Sequence, residues 1–194
     1  DLATRTVKQE RTVLNIVRMG TCGALHADIE PGSLVVSAYG LGLDNVLHYY
    51  AYENTPKETR LWQAILAGTE WPDNLPVPYL AAADPLLLER YRTDNHVGIT
   101  ATSGGFYGPQ GRQLRGVPAI PDLNERLMAF SHEELRITNF EMETSALYGL
   151  SGLLGHRACT VCTVVANRVS GKFLADHHAA VEAMIDQVLE RSTI

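Results

Sequence analysis

Asn139-Phe140-Glu141-Met142-Glu143-Thr144 joins the end of an apolar run, 137–142, to the start of a helical run from Thr144 to Leu154. A strand that feeds directly into a helix, repeated along a chain, is the signature of an α/β fold. Glu141 and Glu143 are two apart, so on extended backbone both side chains project the same way. A carboxylate there can accept hydrogen bonds from both hydroxyls of a vicinal diol, such as the 2′- and 3′-hydroxyls of a ribose. Met142 between them offers a soft apolar surface for a sugar ring. The plainer reading is an acidic patch before a helix, where carboxylates suit the dipole.

The same alternation continues outward. Residues 13–17, apolar and β-branched, and residues 34–39, 96–102 and 158–166 are strand candidates. Asp84-Pro85 looks like a helix cap with proline in the first turn, ahead of a short helix over 86–91. Residues 123–130 read as a helix. The last helix spans 177–191, with Val181, Met184, Ile185, Val188 and Leu189 on one face. The proline-rich stretch from Tyr52 to Pro78 shows sparse periodicity and reads as a surface excursion. The pattern predicts a single α/β domain over residues 1–194, with a central mixed β-sheet flanked by helices. Functional groups in such folds gather at strand ends.

Composition narrows the function. The chain has 194 residues, 45% hydrophobic and 20% charged, with a net charge of −6. No lysine- or arginine-rich run offers a surface for a phosphate backbone, which argues against nucleic acid as a partner. No apolar run approaches a membrane span. Three cysteines without a secretion signal suggest reduced thiols in the cytoplasm. Cys159 and Cys162 form a C-x-x-C, but inside a buried strand, where residues three apart face opposite sides. No pair of the seven histidines has metal-ligand spacing, so no metal is expected.

Two further segments carry chemistry. Arg18-Met19-Gly20-Thr21-Cys22-Gly23 follows the first strand candidate. A strand ending in Gly-x-x-Gly exposes N–H groups to an anion, and Arg18 and Thr21 add donors. A plain glycine turn is the competing reading. The segment lacks the ending of a Walker loop and is not a dinucleotide fingerprint. Gly149-Leu150-Ser151-Gly152 also fails that pattern, and its glycines read as points of close helix–sheet packing. Phe106-Tyr107-Gly108-Pro109-Gln110-Gly111-Arg112 brings an aromatic ring, an amide and a guanidinium together in one loop, a set able to read a planar heterocycle. A mobile loop with a chance aromatic is the alternative.

Together the three segments resemble the nucleoside phosphorylase superfamily, from about Val13 to about Arg168. The Arg-x-Gly-Thr-x-Gly pattern of that family matches Arg18, Gly20, Thr21 and Gly23, implying that Arg18, Gly20 and Thr21 bind phosphate. The Glu-Met-Glu segment matches Glu141, Met142 and Glu143, implying ribose contacts shared with Thr21. The uridine-specific branch carries Phe, Gln and Arg at the spacing of Phe106, Gln110 and Arg112, implying a base subsite that includes Cys22 and Gly23. Purine-cleaving relatives place an aspartate after the late strand, where this chain reads Ala166-Asn167-Arg168. Arg168 reads either as support for the base end or as a surface cation. Cys22 departs from the usual serine or threonine.

The resemblance implies a three-layer α/β/α fold and a pentosyltransferase acting in nucleoside salvage. Its reaction would be phosphorolysis of uridine, with deoxyuridine or thymidine as further substrates, to uracil and ribose 1-phosphate. Gln110, Arg112 and Glu143 would be the catalytic set. Inorganic phosphate would be the co-substrate, with no organic cofactor, in a homo-oligomer, either a dimer or a hexamer. Alternatives are a purine phosphorylase, a nucleosidase or a non-catalytic nucleoside-binding protein. The chain starts at Asp1, and the family's N-terminal region is expected to be missing from it.

Overall fold

A computed structural model describes residues 12–192; the expectation of a missing N-terminal part falls outside the described residues. In chain order the elements are β1 (Asn15–Ala24), β2 (Leu34–Gly42), α1 (Pro56–Gly68), β3 (Tyr79–Ala82), α2 (Pro85–Arg92), β4 (His96–Thr102), α3 (Leu123–Ala129), β5 (Ser131–His132), β6 (Leu135–Glu141), α4 (Thr144–Leu153), β7 (Arg157–Asn167) and α5 (His177–Ser192). Short 3-10 turns occupy Val46–Tyr49 and Gly108–Gln110.

The sheet is mixed, in the order β1-β7-β2-β4-β6-β5, with β3 on β2. β1 runs parallel to β7, and β4 runs parallel to both β2 and β6. β2 is antiparallel to β7 through Leu34, Val35 and Val36, then exchanges it for β3 from Tyr39 onward. β1 also meets β6, with Gly23 opposite Phe140 and Ala24 opposite Asn139. The sheet therefore curls, and β1, β7, β2, β4 and β6 close into a ring. That closure brings the C-terminal ends of β1, β6 and β7 together.

Helices cover two sides. Leu61 and Ile65 of α1 and Leu127 of α3 pack with Leu41, Ile99, Ile137 and Phe140 of the sheet. Leu87 and Tyr91 of α2, Tyr148 of α4, and Met184 and Val188 of α5 pack with Val36, Cys159 and Val161. On α5 the predicted stripe narrows: Met184 and Val188 are buried, while Leu189 is 55% exposed. The expected caps are present at α2, where Asp84 Oδ1 accepts from the N–H groups of Leu86 and Leu87 at 3.0 and 3.1 Å. Cys159 and Cys162 fall in separate core clusters, as alternation along a strand requires.

Three expectations need correcting. The excursion over 52–78 contains α1, a 13-residue helix. Thr55 and Glu58 form a capping box with Pro56 in the first turn. Glu58 is buried because it also accepts from Ala82 N at 3.0 Å, tying α1 to β3. Second, Arg18–Gly23 is not a loop after a strand. β1 continues to Ala24, its backbone paired with β7 from Asn15↔Arg157 to Ala24↔Asn167 and broken only by a bulge at Cys22/Gly23. Bulges of this kind re-aim side chains beside sites. Third, Gly149 makes room for Leu47 of the 3-10 turn rather than for the sheet, since a Cβ there would lie 2.0 Å from Leu47 Cδ1, and Gly152 faces open space.

Candidate active site

The ends of β1, β6 and β7, with the loop after β4, line a cleft of about 660 Å³. That is within the usual range for a small-molecule site. It gathers Arg18, Gly20, Thr21, Cys22 and Gly23 from β1, and Phe106, Gln110 and Arg112 from the loop. Glu141, Met142 and Glu143 come from the β6–α4 passage, and Arg168 from the end of β7. All the residues singled out in the sequence therefore meet in one cavity. Phe173, Leu174 and His177 also line it, and the sequence reading missed them. The signal was the Ser170-Gly171 turn. Gly171 has φ +67°, and the chain returns over β7 with Leu174 N donating to Val165 O at 2.9 Å.

At one end Arg18 folds back along its own strand. A Cβ on Gly20 would lie 2.7 Å from an Arg18 guanidinium nitrogen, so this glycine seats the guanidinium instead of ending the strand. The guanidinium donates to Cys162 Sγ at 3.3 Å, pairs with Glu141 at 3.2 Å and bonds Glu143. Burial works against the cation, but Cys162, Glu141 and Glu143 outweigh it and raise its pKa. Glu141 is 4% exposed. Its Oε1 accepts from Thr102 Oγ1 at 2.6 Å, and its Oε2 accepts from the N–H groups of Glu143 and Thr144 at 2.9 Å. It thus satisfies the first N–H groups of α4. Glu143 stands at the cap of α4 without a side-chain capping bond, and its side chain is 59% accessible.

At the other end Gln110 is buried and shared by two arginines. Its Oε1 accepts from Arg112 at 2.8 Å and from Arg168, while its backbone carbonyl accepts from Arg168 at 2.7 Å. With Oε1 taken twice, the amide N–H remains for a ligand. Arg112 lies 3.8 Å over the Phe106 ring and Arg168 4.6 Å over Phe140. Gly23 seats Arg168, because a Cβ there would lie 3.1 Å from its Nε. That Nε is buried and has no partner among the described residues. The ion pairs of the described residues include neither Arg112 nor Arg168. Burial, reinforced by Arg112, holds the Arg168 pKa below its ordinary value, and burial lowers that of Arg112. Arg168 is thus built into the cleft, not a surface cation. Cys22 is buried, and its thiol is pushed well up by its hydrogen bond with Cys162 and by burial. It meets the cleft as strand, not as a reactive group.

Asn167, next to Arg168, is fully engaged. Its amide nitrogen donates to His26 O at 2.7 Å and Ile29 O at 2.9 Å, and its Oδ1 accepts from Val169 N and Ser170 N. Nothing of it is left for a ligand.

The closed ring of strands thus brings an arginine, a pair of acids and an amide–guanidinium cluster into one cleft. The chain belongs to the phosphorylase superfamily, whose model matches residues 2–193. It is similar to a uridine phosphorylase of Thermococcus kodakarensis, 32% identical over 163 residues, covering 81% of this chain and 50% of that protein. It is also similar to a DeoD-type purine nucleoside phosphorylase of Hahella chejuensis, 28% identical over 180 residues, covering 92% of this chain and 63% of the relative. A solved nucleoside phosphorylase of Trypanosoma brucei, described as showing uridine phosphorylase activity, superposes with a TM-score of 0.77 at 26% identity. That match covers 91% of this chain and 61% of the other. The chain spans about half the length of the first of these relatives.

Proposed function

We propose that this chain is a single nucleoside phosphorylase-like domain that supports phosphorolysis of uridine to uracil and ribose 1-phosphate. The observation that carries the reading is the base end. Two arginines share one glutamine there, and among the described residues neither is paired with a carboxylate. Such a site favours a planar ligand with carbonyl acceptors on which negative charge develops. Uracil leaving as an anion meets that description. The saturated Asn167 supports the pyrimidine branch, since it has no group free to serve a purine nitrogen.

In this reading phosphate is the co-substrate and no organic cofactor is called for. Arg18 and Thr21, with Gly20 leaving them room, hold phosphate below C1′, which removes much of the entropic cost of the encounter. A phosphate oxygen forms a bond to C1′ as the C1′–N1 bond breaks through an oxocarbenium-like state. The electron pair stays on the base, spread onto its carbonyl oxygens, where the Gln110 amide, Arg112 and Arg168 donate. Uracil then takes a proton from water. Phe106 covers the base beside Cys22 and Gly23. Glu143 holds the ribose hydroxyls with Met142 against the sugar face and Glu141 behind. Deoxyuridine and thymidine are further candidate substrates. The three free buried cysteines fit a reducing, cytoplasmic setting, and the kinship fits a homo-oligomer. No helix among the described residues is long and apolar enough to cross a membrane.

The test is uracil release from uridine with and without phosphate, beside inosine. Release from uridine only, and only with phosphate, is the expected result. Release without phosphate makes the protein a hydrolase, and phosphorolysis of inosine moves it to the purine branch. No release from either nucleoside leaves a binding protein.

A further inference from the structure

We propose that Glu143 couples the two co-substrate subsites, alternating between Arg18 in the empty cleft and the sugar diol in the loaded one, while Glu141 stays fixed as the positioning residue for Arg18. This rests on the reading of the cleft as a phosphorolytic site.

The two acids look equivalent in sequence but differ in what they can still do. Both oxygens of Glu141 are committed, to Thr102 Oγ1, to two backbone N–H groups of the α4 cap and to Arg18. It is 4% exposed, and releasing the bonds from Thr102 or Thr144 would strand a buried donor. These bonds use most of the carboxylate's acceptor capacity, so Glu141 has little to lend to a sugar hydroxyl. Glu143 is the reverse: its side chain is 59% accessible, and the contact shown for its carboxylate is the bond from Arg18 Nη2. It can leave at low cost, since a partly exposed ion pair is worth little.

Arg18 has one removable partner. Its Nη1 is held from behind by Cys162 Sγ and Glu141, and Gly20 gives the guanidinium a fixed seat. Its Nη2 is the donor that a phosphate would take, and Glu143 occupies it. An anion and Glu143 thus compete for Arg18 Nη2, and Arg18 and a diol compete for one carboxylate. A sugar that draws Glu143 away frees the anion site. A phosphate that displaces Glu143 frees the diol acceptor. Linkage makes the two effects equal in size.

Calorimetric titration of inorganic phosphate tests this, alone and with saturating pseudouridine, whose carbon–carbon glycosidic bond does not undergo phosphorolysis. For the wild-type protein the phosphate Kd should fall about fivefold when pseudouridine is bound, the scale of an exposed ion pair. A 2′,3′-dideoxy pyrimidine nucleoside should give no such gain, which separates the diol from the base. In Glu143→Gln, phosphate alone should bind about fivefold tighter than in wild type, with no further gain from pseudouridine. The proposal falls if the wild-type Kd is the same with and without pseudouridine, or if Glu143→Gln leaves it unchanged. If uridine turnover still requires phosphate in that case, the functional reading stands and the coupling alone fails. If phosphate binds neither protein, both fail.

Discussion

At one end of the cleft Arg18 lies against Glu141, Glu143 and Cys162, whereas at the Gln110 end Arg112 and Arg168 converge on a neutral amide. The same side chain is used under opposite electrostatic terms. Charges taken from water must be compensated by partners or remain a standing cost. The Arg18 end is compensated internally, so an anion arriving there must displace a carboxylate. At the Gln110 end neither arginine has a carboxylate partner among the described residues, so a ligand that carries negative charge is favoured there. A ligand that is neutral when bound and anionic when it leaves gains most from such a site, because the donors are in place before the charge appears.

The largest expected effect is at the uncompensated end. Arg168→Ala should lower kcat/KM for uridine by about 10²–10³, the usual loss of one preorganised donor, or about 2.7–4 kcal/mol. Arg168→Lys should recover little, because an ammonium cannot span the Gln110 carbonyl and Oε1 together. Steady-state kinetics beside a thermal melt separates this from misfolding. Wild-type turnover by a folded Arg168→Ala would mean that the two arginines merely hold the loop. The next effect belongs to the compensated end and is one of stability. Glu141→Gln should cost about 1.5–3 kcal/mol, because an amide replaces a buried charged acceptor. Glu143→Gln, on the exposed side of the same cap, should stay within about 0.5 kcal/mol of wild type. Denaturant midpoints compare them directly, and equal losses would erase the distinction between the two acids.

How much of this could be read in the sequence depends on the reach of each signal. β4 and α2 were legible because a short run rich in β-branched residues and an Asp-Pro cap are local statements. α1 was missed even though Thr55-Pro56-Lys57-Glu58 is a capping box. The surrounding prolines drew the reading toward a loop, and only Leu61 and Ile65 are buried hydrophobics on that helix. Gly20 and Gly23 read as strand breakers, but each makes room for a guanidinium, Gly23 for one that comes from the end of β7. Arg168 was ambiguous for the same reason. Its partner Gln110 is 58 residues away, and only the closure of β1 onto β6 brings the two loops together. The site residues were visible as types. Which acid was exposed and which arginine lacked a carboxylate partner depended on tertiary contacts.

The finest test addresses that last distinction within the compensated end. If Glu143 is the acid that reads the sugar, removing its charge should hurt ribosides more than 2′-deoxyribosides, because the latter lack one of the two hydroxyls it accepts. The difference in kcat/KM loss between uridine and 2′-deoxyuridine for Glu143→Gln should be about fivefold, the worth of one hydrogen bond to a charged acceptor in a partly exposed setting. It should not exceed that by much, since the carboxylate is 59% accessible and water substitutes for the missing hydroxyl. Glu141→Gln, measured the same way, should penalise both sugars equally, because both oxygens of Glu141 face protein donors. A selective loss on Glu141→Gln with an unselective one on Glu143→Gln would exchange the two roles. It would require the bonds from Thr102 and the α4 cap to open whenever a nucleoside binds.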